Sequence, residues 1–179
     1  ERSDLVISNV SVDNEEVGRI QGRQLRALLP QGGHVLYLQG PPDTAVAQER
    51  LRGAEEALRG TGIELKVLNG DWTEGSGEKD ASAWLRLKTA EGFHPAVLCS
   101  QNDSMAIGAR HAVRELRAER TDLLFTGCDG LPEGGLSLVH RGHLAATIIT
   151  PPPAGPAVTM VARALAGEPA PSRLRLQPQ

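Results

Sequence analysis

Short runs rich in β-branched residues alternate along the chain with longer segments of helical period, which predicts strands and helices in turn. Residues 5–8 (LVIS), 34–38 (HVLYL), 64–68 (ELKVL), 96–99 (AVLC), 123–126 (LLFT) and 145–149 (AATII) read as strands, and 173–176 as an edge strand. Asp13 with Glu16 three residues on opens a helix through Val17, Ile20, Leu25 and Leu28 that Pro30 stops. Thr44 caps a second whose Ala47, Leu51, Ala54 and Leu58 share one face, ending at Gly60. A Gly-rich loop over 69–77 leads to a helix over 81–89 with Trp84 in its apolar face, and another helix runs over 103–116. A short helix near 133–140, the break at Pro151, Pro152 and Pro153, and a helix over 154–166 complete the series. Strand-helix-strand units with connections this long force parallel pairing with right-handed crossovers. The expected fold is α/β: a doubly wound open parallel sheet of Rossmann or flavodoxin type.

In such sheets ligands bind beyond the carboxyl ends of the strands. The chain places there the Gly40 loop with Arg50 behind it, Asp71 and Trp72, then Gln101, Asn102 and Asp103, then Asp129, and finally Thr150. Carboxylate, amide, guanidinium and one large ring suit a polyhydroxylated neutral ligand, because Asp accepts from hydroxyls, Arg donates in a fork and an indole covers the C–H face of a sugar. The same residue types also have ordinary structural uses. Asn102 and Asp103 are natural helix N-caps, Arg50 a natural surface residue, and Trp84 a core ring.

Composition narrows the field. The 179 residues carry 19 Lys and Arg against 22 Asp and Glu, for a net charge of −3, so nucleic acid is not an expected partner. Two Trp, two Phe and one Tyr are too few for a stacking platform on single strands. Cys99 and Cys128 make neither a disulfide framework nor a zinc site and read as small buried fillers. His140 and His143 have no evident third ligand. There is no P-loop, no G-x-G-x-x-G after a strand and no G-x-S-x-G, so neither catalytic residues, nor a metal, nor a cofactor is expected.

The strings VDN (12–14), GPPDTAVAQERLRGAEEAL (40–58), SQNDSMAIGA (100–109), GCDGLPEG (127–134) and GHLAATI (142–148) together resemble the type I periplasmic binding proteins. Within that family they are most similar to the ribose/galactose-type sugar-binding components of ABC transporters. The sensor domains of LacI-type repressors share the fold. The resemblance implies a small sugar as ligand, a periplasmic or extracytoplasmic location and ABC transporter membrane subunits as partners. It implies sugar contacts at Arg50, Trp72, Asn102 and Asp129, and a fifth at Thr150, where ribose-type members carry Gln. It also implies an organisation: 1–12 as a residual strand of an N-terminal lobe, 13–149 as the C-terminal ligand-binding lobe, 150–168 as a helix packing on the other lobe, and 169–179 as a return segment with an edge strand. By the same resemblance, the rest of an N-terminal lobe is expected outside these 179 residues. Val158, Val161 and Leu165 are then left without their neighbour, which implies that the chain self-associates or packs this helix elsewhere. The alternatives are the effector domain of a transcriptional regulator and, with no catalytic constellation to support it, a flavodoxin-like enzyme.

Overall fold

The computed structural model describes residues 8–87 and 92–179. The chain divides into two compact units, one of residues 14–149 and a smaller one of residues 1–13 with 150–179.

The larger unit is a parallel four-stranded sheet between two pairs of helices. Its strands are β2 (Gly33–Gln39), β3 (Ile63–Asn69), β4 (Pro95–Ser100) and β5 (Leu124–Thr126), in the spatial order β3-β2-β4-β5. The inner strand β2 is a nearly unbroken apolar run because both its faces are covered. Val35 and Tyr37 point to one side with Val97 and Cys99 of β4, against Leu25 of α1 (Asn14–Leu28) and Ala54 and Leu58 of α2 (Ala45–Leu58). Leu36, Leu38 and Leu98 point to the other, against Trp84 of α3 (Glu74–Leu85) and Met105, Ala109 and Val113 of α4 (Asp103–Leu116).

Each helix pair touches backbone to backbone. A Cβ on Gly53 of α2 would stand 2.1 Å from the Glu15 carbonyl oxygen of α1, and one on Gly108 of α4 would stand 1.9 Å from the Glu74 carbonyl oxygen of α3. From β2 the chain crosses one face to reach β3 and then returns over the other face to β4. The sheet order therefore reverses between β2 and β4, where a crevice opens at the strands' carboxyl ends.

In the smaller unit β1 (Asn9–Val12) pairs in parallel with β6 (Arg173–Leu176), from Asn9 against Arg173 to Val12 against Leu176. The helix α6 (Ala154–Leu165) buries Met160, while Val158, Val161 and Leu165 stand 71%, 59% and 85% exposed.

Two local expectations need correction, the start of the helix expected over 81–89 and the strand expected over 145–149, and two expected elements run into residues outside the described ones. The first described strand is Asn9–Val12, and residues 5–7 of the strand expected over 5–8 lie outside the described residues. The Gly-rich stretch is helix from Glu74 onward: Thr73 caps α3 by accepting from the Ser76 amide at 3.1 Å. Its Gly77 serves close packing, since a Cβ there would meet the Met105 carbonyl oxygen at 2.2 Å. That helix ends at Leu85, and residues 88 and 89 of the span expected over 81–89 lie outside the described residues. Residues 145–149 form no regular strand but two isolated parallel bridges, Thr126 to Ala146 and Asp129 to Ile149. The ladder breaks because the partner chain turns after Thr126, with φ of 120° at Asp129 and 63° at Gly130. The short helix expected near 133–140 is present as a wide helical turn, Pro132–Leu136, that runs into α5 (Ser137–His140).

Candidate functional site

The crevice floor is built from side chains that replace backbone pairing where β2 and β4 part. Gln101, fully buried, accepts from the Gly40 amide through Oε1 at 3.0 Å and donates through Nε2 to the Ala47 carbonyl at 2.9 Å and to the Tyr37 hydroxyl at 3.2 Å. Tyr37 donates to Gln21 Oε1 at 2.7 Å, and Gln21 Nε2 donates to the Ser100 carbonyl at 2.8 Å. Burial pushes the Tyr37 hydroxyl well above its usual range, so it stays a neutral donor.

Arg50 stands over this floor and is itself 7% exposed. Its Nε donates to Asn14 Oδ1 at 3.0 Å and its Nη1 to the Gln101 carbonyl. These bonds fix the guanidinium plane and leave Nη2 for a further acceptor. The Arg50 guanidinium carbon lies 5.8 Å from the Trp72 ring centroid, within the reach of a cation–π contact. The indole in turn lies against Gly40, where a Cβ would be 2.1 Å from the ring. Asn102 joins Trp72 to α4: its Oδ1 caps the helix by accepting from the Met105 amide at 2.9 Å, and its Nδ2 donates to the Trp72 carbonyl at 2.8 Å.

Trp72 and Asp129 are the two non-glycine residues with positive φ among the described residues, at 72° and 120°. Such backbone costs about 1–3 kcal/mol per residue and persists only where the surroundings enforce it, as they do at ligand sites. Asp129 is half-buried. Burial raises its carboxyl from 3.8 to about 6; Arg50 pulls it down and Asp103 pushes it up. Asp103 holds the turn that presents Asp129. Its Oδ1 accepts from the Thr147 hydroxyl at 2.7 Å and its Oδ2 from the Gly130 amide at 2.9 Å. A Cβ on either Gly127 or Gly135 would collide with this carboxylate.

The structure thus brings Arg50, Trp72, Asn102 and Asp129 together in the larger unit, while Thr150 stands half-buried in the smaller one. Asp71 faces solvent and accepts from the Thr73 hydroxyl at 2.5 Å, which makes it a turn residue. Sequence reasoning missed Asn14 and the clamp at Asp103; the one legible signal for the clamp was the pair of glycines at Gly127 and Gly135. Cys99 and Cys128 are buried and free, with both thiols pushed up to about 12 by burial. Among the described residues no group of three or more His, Cys, Asp or Glu could hold a metal ion. No helix among them is long and apolar enough to cross a membrane.

The profile of the periplasmic binding protein domain matches residues 1–169. The chain belongs to this family. Over 145 residues this periplasmic binding protein domain is 34% identical to the ribose import binding protein RbsB of Escherichia coli (strain K12), covering 80% of the chain and 46% of that protein. It is 36% identical over 94 residues to the HTH-type transcriptional regulator AscG of the same strain, covering 50% of the chain and 27% of the regulator. Among solved structures, the fructose-binding periplasmic domain of a hybrid two-component system superposes with a TM-score of 0.87 at 27% identity, over 97% of this chain and 57% of that one. The chain spans about half the length of the ribose-binding relatives it matches.

Proposed function

We propose that the chain is the sugar-binding lobe of a solute-binding protein that serves an ABC transporter in the periplasm, and that it binds without catalysis. The observation that carries this reading is the meeting of Arg50, Trp72, Asn102 and Asp129 over a hydrogen-bonded floor at the sheet's switch point. In this reading Trp72 stacks on the C–H face of the sugar, Arg50 Nη2 and the second Asn102 Nδ2 proton donate to ring or hydroxyl oxygens, and Asp129 accepts from hydroxyls. Thr150 is the fifth proposed contact, its short side chain favouring a sugar other than ribose. Residues 13–149 act as the C-terminal ligand-binding lobe, and the stretches 1–12, 150–168 and 169–179 belong with a second lobe that closes over the ligand in the whole protein. The membrane subunits of the transporter are the proposed partner. The names of the ribose-binding relatives support this reading.

Isothermal titration of the full-length protein with a panel of pentoses, hexoses and inositols tests it. Saturable binding of at least one member, weakened at least about tenfold by Asp129→Ala and by Trp72→Ala, is expected. Unchanged affinity in both variants refutes the site. The match to AscG favours a second reading, the effector domain of a regulator. The coding sequence upstream of Glu1 separates the two, through a helix-turn-helix or a secretion signal. The exposed face of Val158, Val161 and Leu165 supports self-association of the isolated chain. Sedimentation should then show dimers that Leu165→Glu dissolves.

A further inference from the structure

We propose that the cleft beside the start of β5 is a second binding site, which takes a polyvalent oxyanion of phosphate type. The cleft has a volume of about 820 Å³, within the range of small-molecule sites. It lies wholly within the larger unit, at the other end of the sheet from Arg50 and Trp72. Arg114 is about 16 Å along α4 from the Asp103 end, at 1.5 Å per residue. Arg110, Arg114, Arg117, Arg120, Arg141 and His143 line the cleft, and among the described residues no carboxylate does. Val113, Phe125 and Leu144 give it an apolar floor on which guanidinium groups are less screened than in open water.

Two of the arginines are accounted for within the fold. Arg117 donates to the Leu116 and Leu85 carbonyls, and Arg120 pairs with Asp122 and donates to the Pro95 carbonyl. Arg110, Arg114 and Arg141 have no ion-pair partner among the described residues. Cations near a helix C-terminus favour the helix dipole, which explains Arg114 in the last turn of α4. It does not explain Arg110 one turn earlier, where the like-charge spacing of four residues is unfavourable, nor Arg141 and His143 arriving from a separate segment. The crowding is visible in the groups themselves. Arg110 is held below its usual range by burial and then by Arg114, and His143 is lowered by desolvation and then by Arg110, Arg141, Arg114 and His111. A net acidic chain that gathers unpaired cations in one cleft holds them for a counter-charge that the described residues do not supply. Planar guanidinium forks converging from two segments match the oxygens of a phosphate group.

The probe is pyrophosphate, titrated by calorimetry into the 179-residue chain at low ionic strength, beside flotation with vesicles of phosphatidylcholine and phosphatidylglycerol in equal parts. The comparison protein carries Arg114→Gln and Arg141→Gln. Both positions are exposed, so circular dichroism should show an unchanged fold. Saturable pyrophosphate binding that falls at least about tenfold in the double variant is expected and identifies a free anion as ligand. Flotation without pyrophosphate binding, lost in the double variant, also upholds the site and identifies a lipid headgroup as the source. Absence of both, or binding that survives the double substitution, overturns the proposal. Its outcome is independent of the sugar titration, because none of these residues belongs to the strand-end site.

Discussion

A Cβ on Gly18 would stand 2.0 Å from the carbonyl oxygen of Arg50. The first helix therefore presses on the backbone of the residue whose side chain roofs the crevice, and Gly18 sets the height of Arg50. Gly18→Ala must push α1 and α2 apart. It is expected to cost about 1–3 kcal/mol in urea denaturation and, by tilting the guanidinium away from Asn14 and Gln101, to weaken sugar binding by the full-length protein. Normal stability and normal affinity together would show that the crossing does not position Arg50.

The raised carboxyl of Asp129 makes two pH-dependent predictions of opposite sense. Its value of about 6 in the folded chain, against an ordinary 3.8, means that the folded state binds more protons than the unfolded state between about pH 4 and 6. This group's contribution to stability is therefore greatest at the acid end of that window and declines as pH rises through it. Asp103 is shifted in the same direction by burial. Urea midpoints of Asp129→Asn should lose part of the wild-type decline between pH 4 and 6.5. Sugar affinity should move the other way and rise as pH passes 6, because the ionised carboxylate is the better acceptor for hydroxyls.

Asp103 ties α4 to two segments through two charge-assisted bonds, to Thr147 and to the Gly130 amide. Asp103→Ala leaves a buried amide and a hydroxyl without their acceptor. The expected loss is about 2–4 kcal/mol. Hydrogen exchange should show faster exchange of the Gly130 amide, and affinity for sugar should fall although the substituted residue lies beneath the proposed ligand contacts.

Tyr37→Phe removes the central link of the buried chain. Gln21 Oε1 loses its donor, while Gln101 Nε2 keeps the Ala47 carbonyl. A destabilisation of about 1–3 kcal/mol is expected by chemical denaturation, with the far-ultraviolet circular dichroism unchanged.

The four central strands and the helices between them were legible because each is a local pattern: an apolar run covered on both faces, or one apolar stripe of helical period. Of the predicted strands and helices, those that went astray depend on distant partners. The glycines near residue 75 look like a loop in sequence, and only the neighbouring helix shows that Gly77 makes room for the Met105 backbone. Residues 145–149 have strand composition, yet the turn imposed by Asp129 and Gly130 interrupts their pairing. The same holds for the candidate site. Arg50, Trp72, Asn102 and Asp129 could be named because they fall at strand ends or behind them. The roles of Asn14, Gln21 and Gln101 could not, since they rest on contacts across 36, 79 and 61 positions of sequence.

The carboxamide of Gln101 works as a spliced-in peptide group, accepting from one main-chain amide and donating to one main-chain carbonyl where two strands have separated. A floor wired in this way is held in one arrangement by its own buried bonds. In the proposed sugar capture, conformational entropy lost on binding then falls on whatever closes from above, which directs selection for affinity toward the closure rather than the bed.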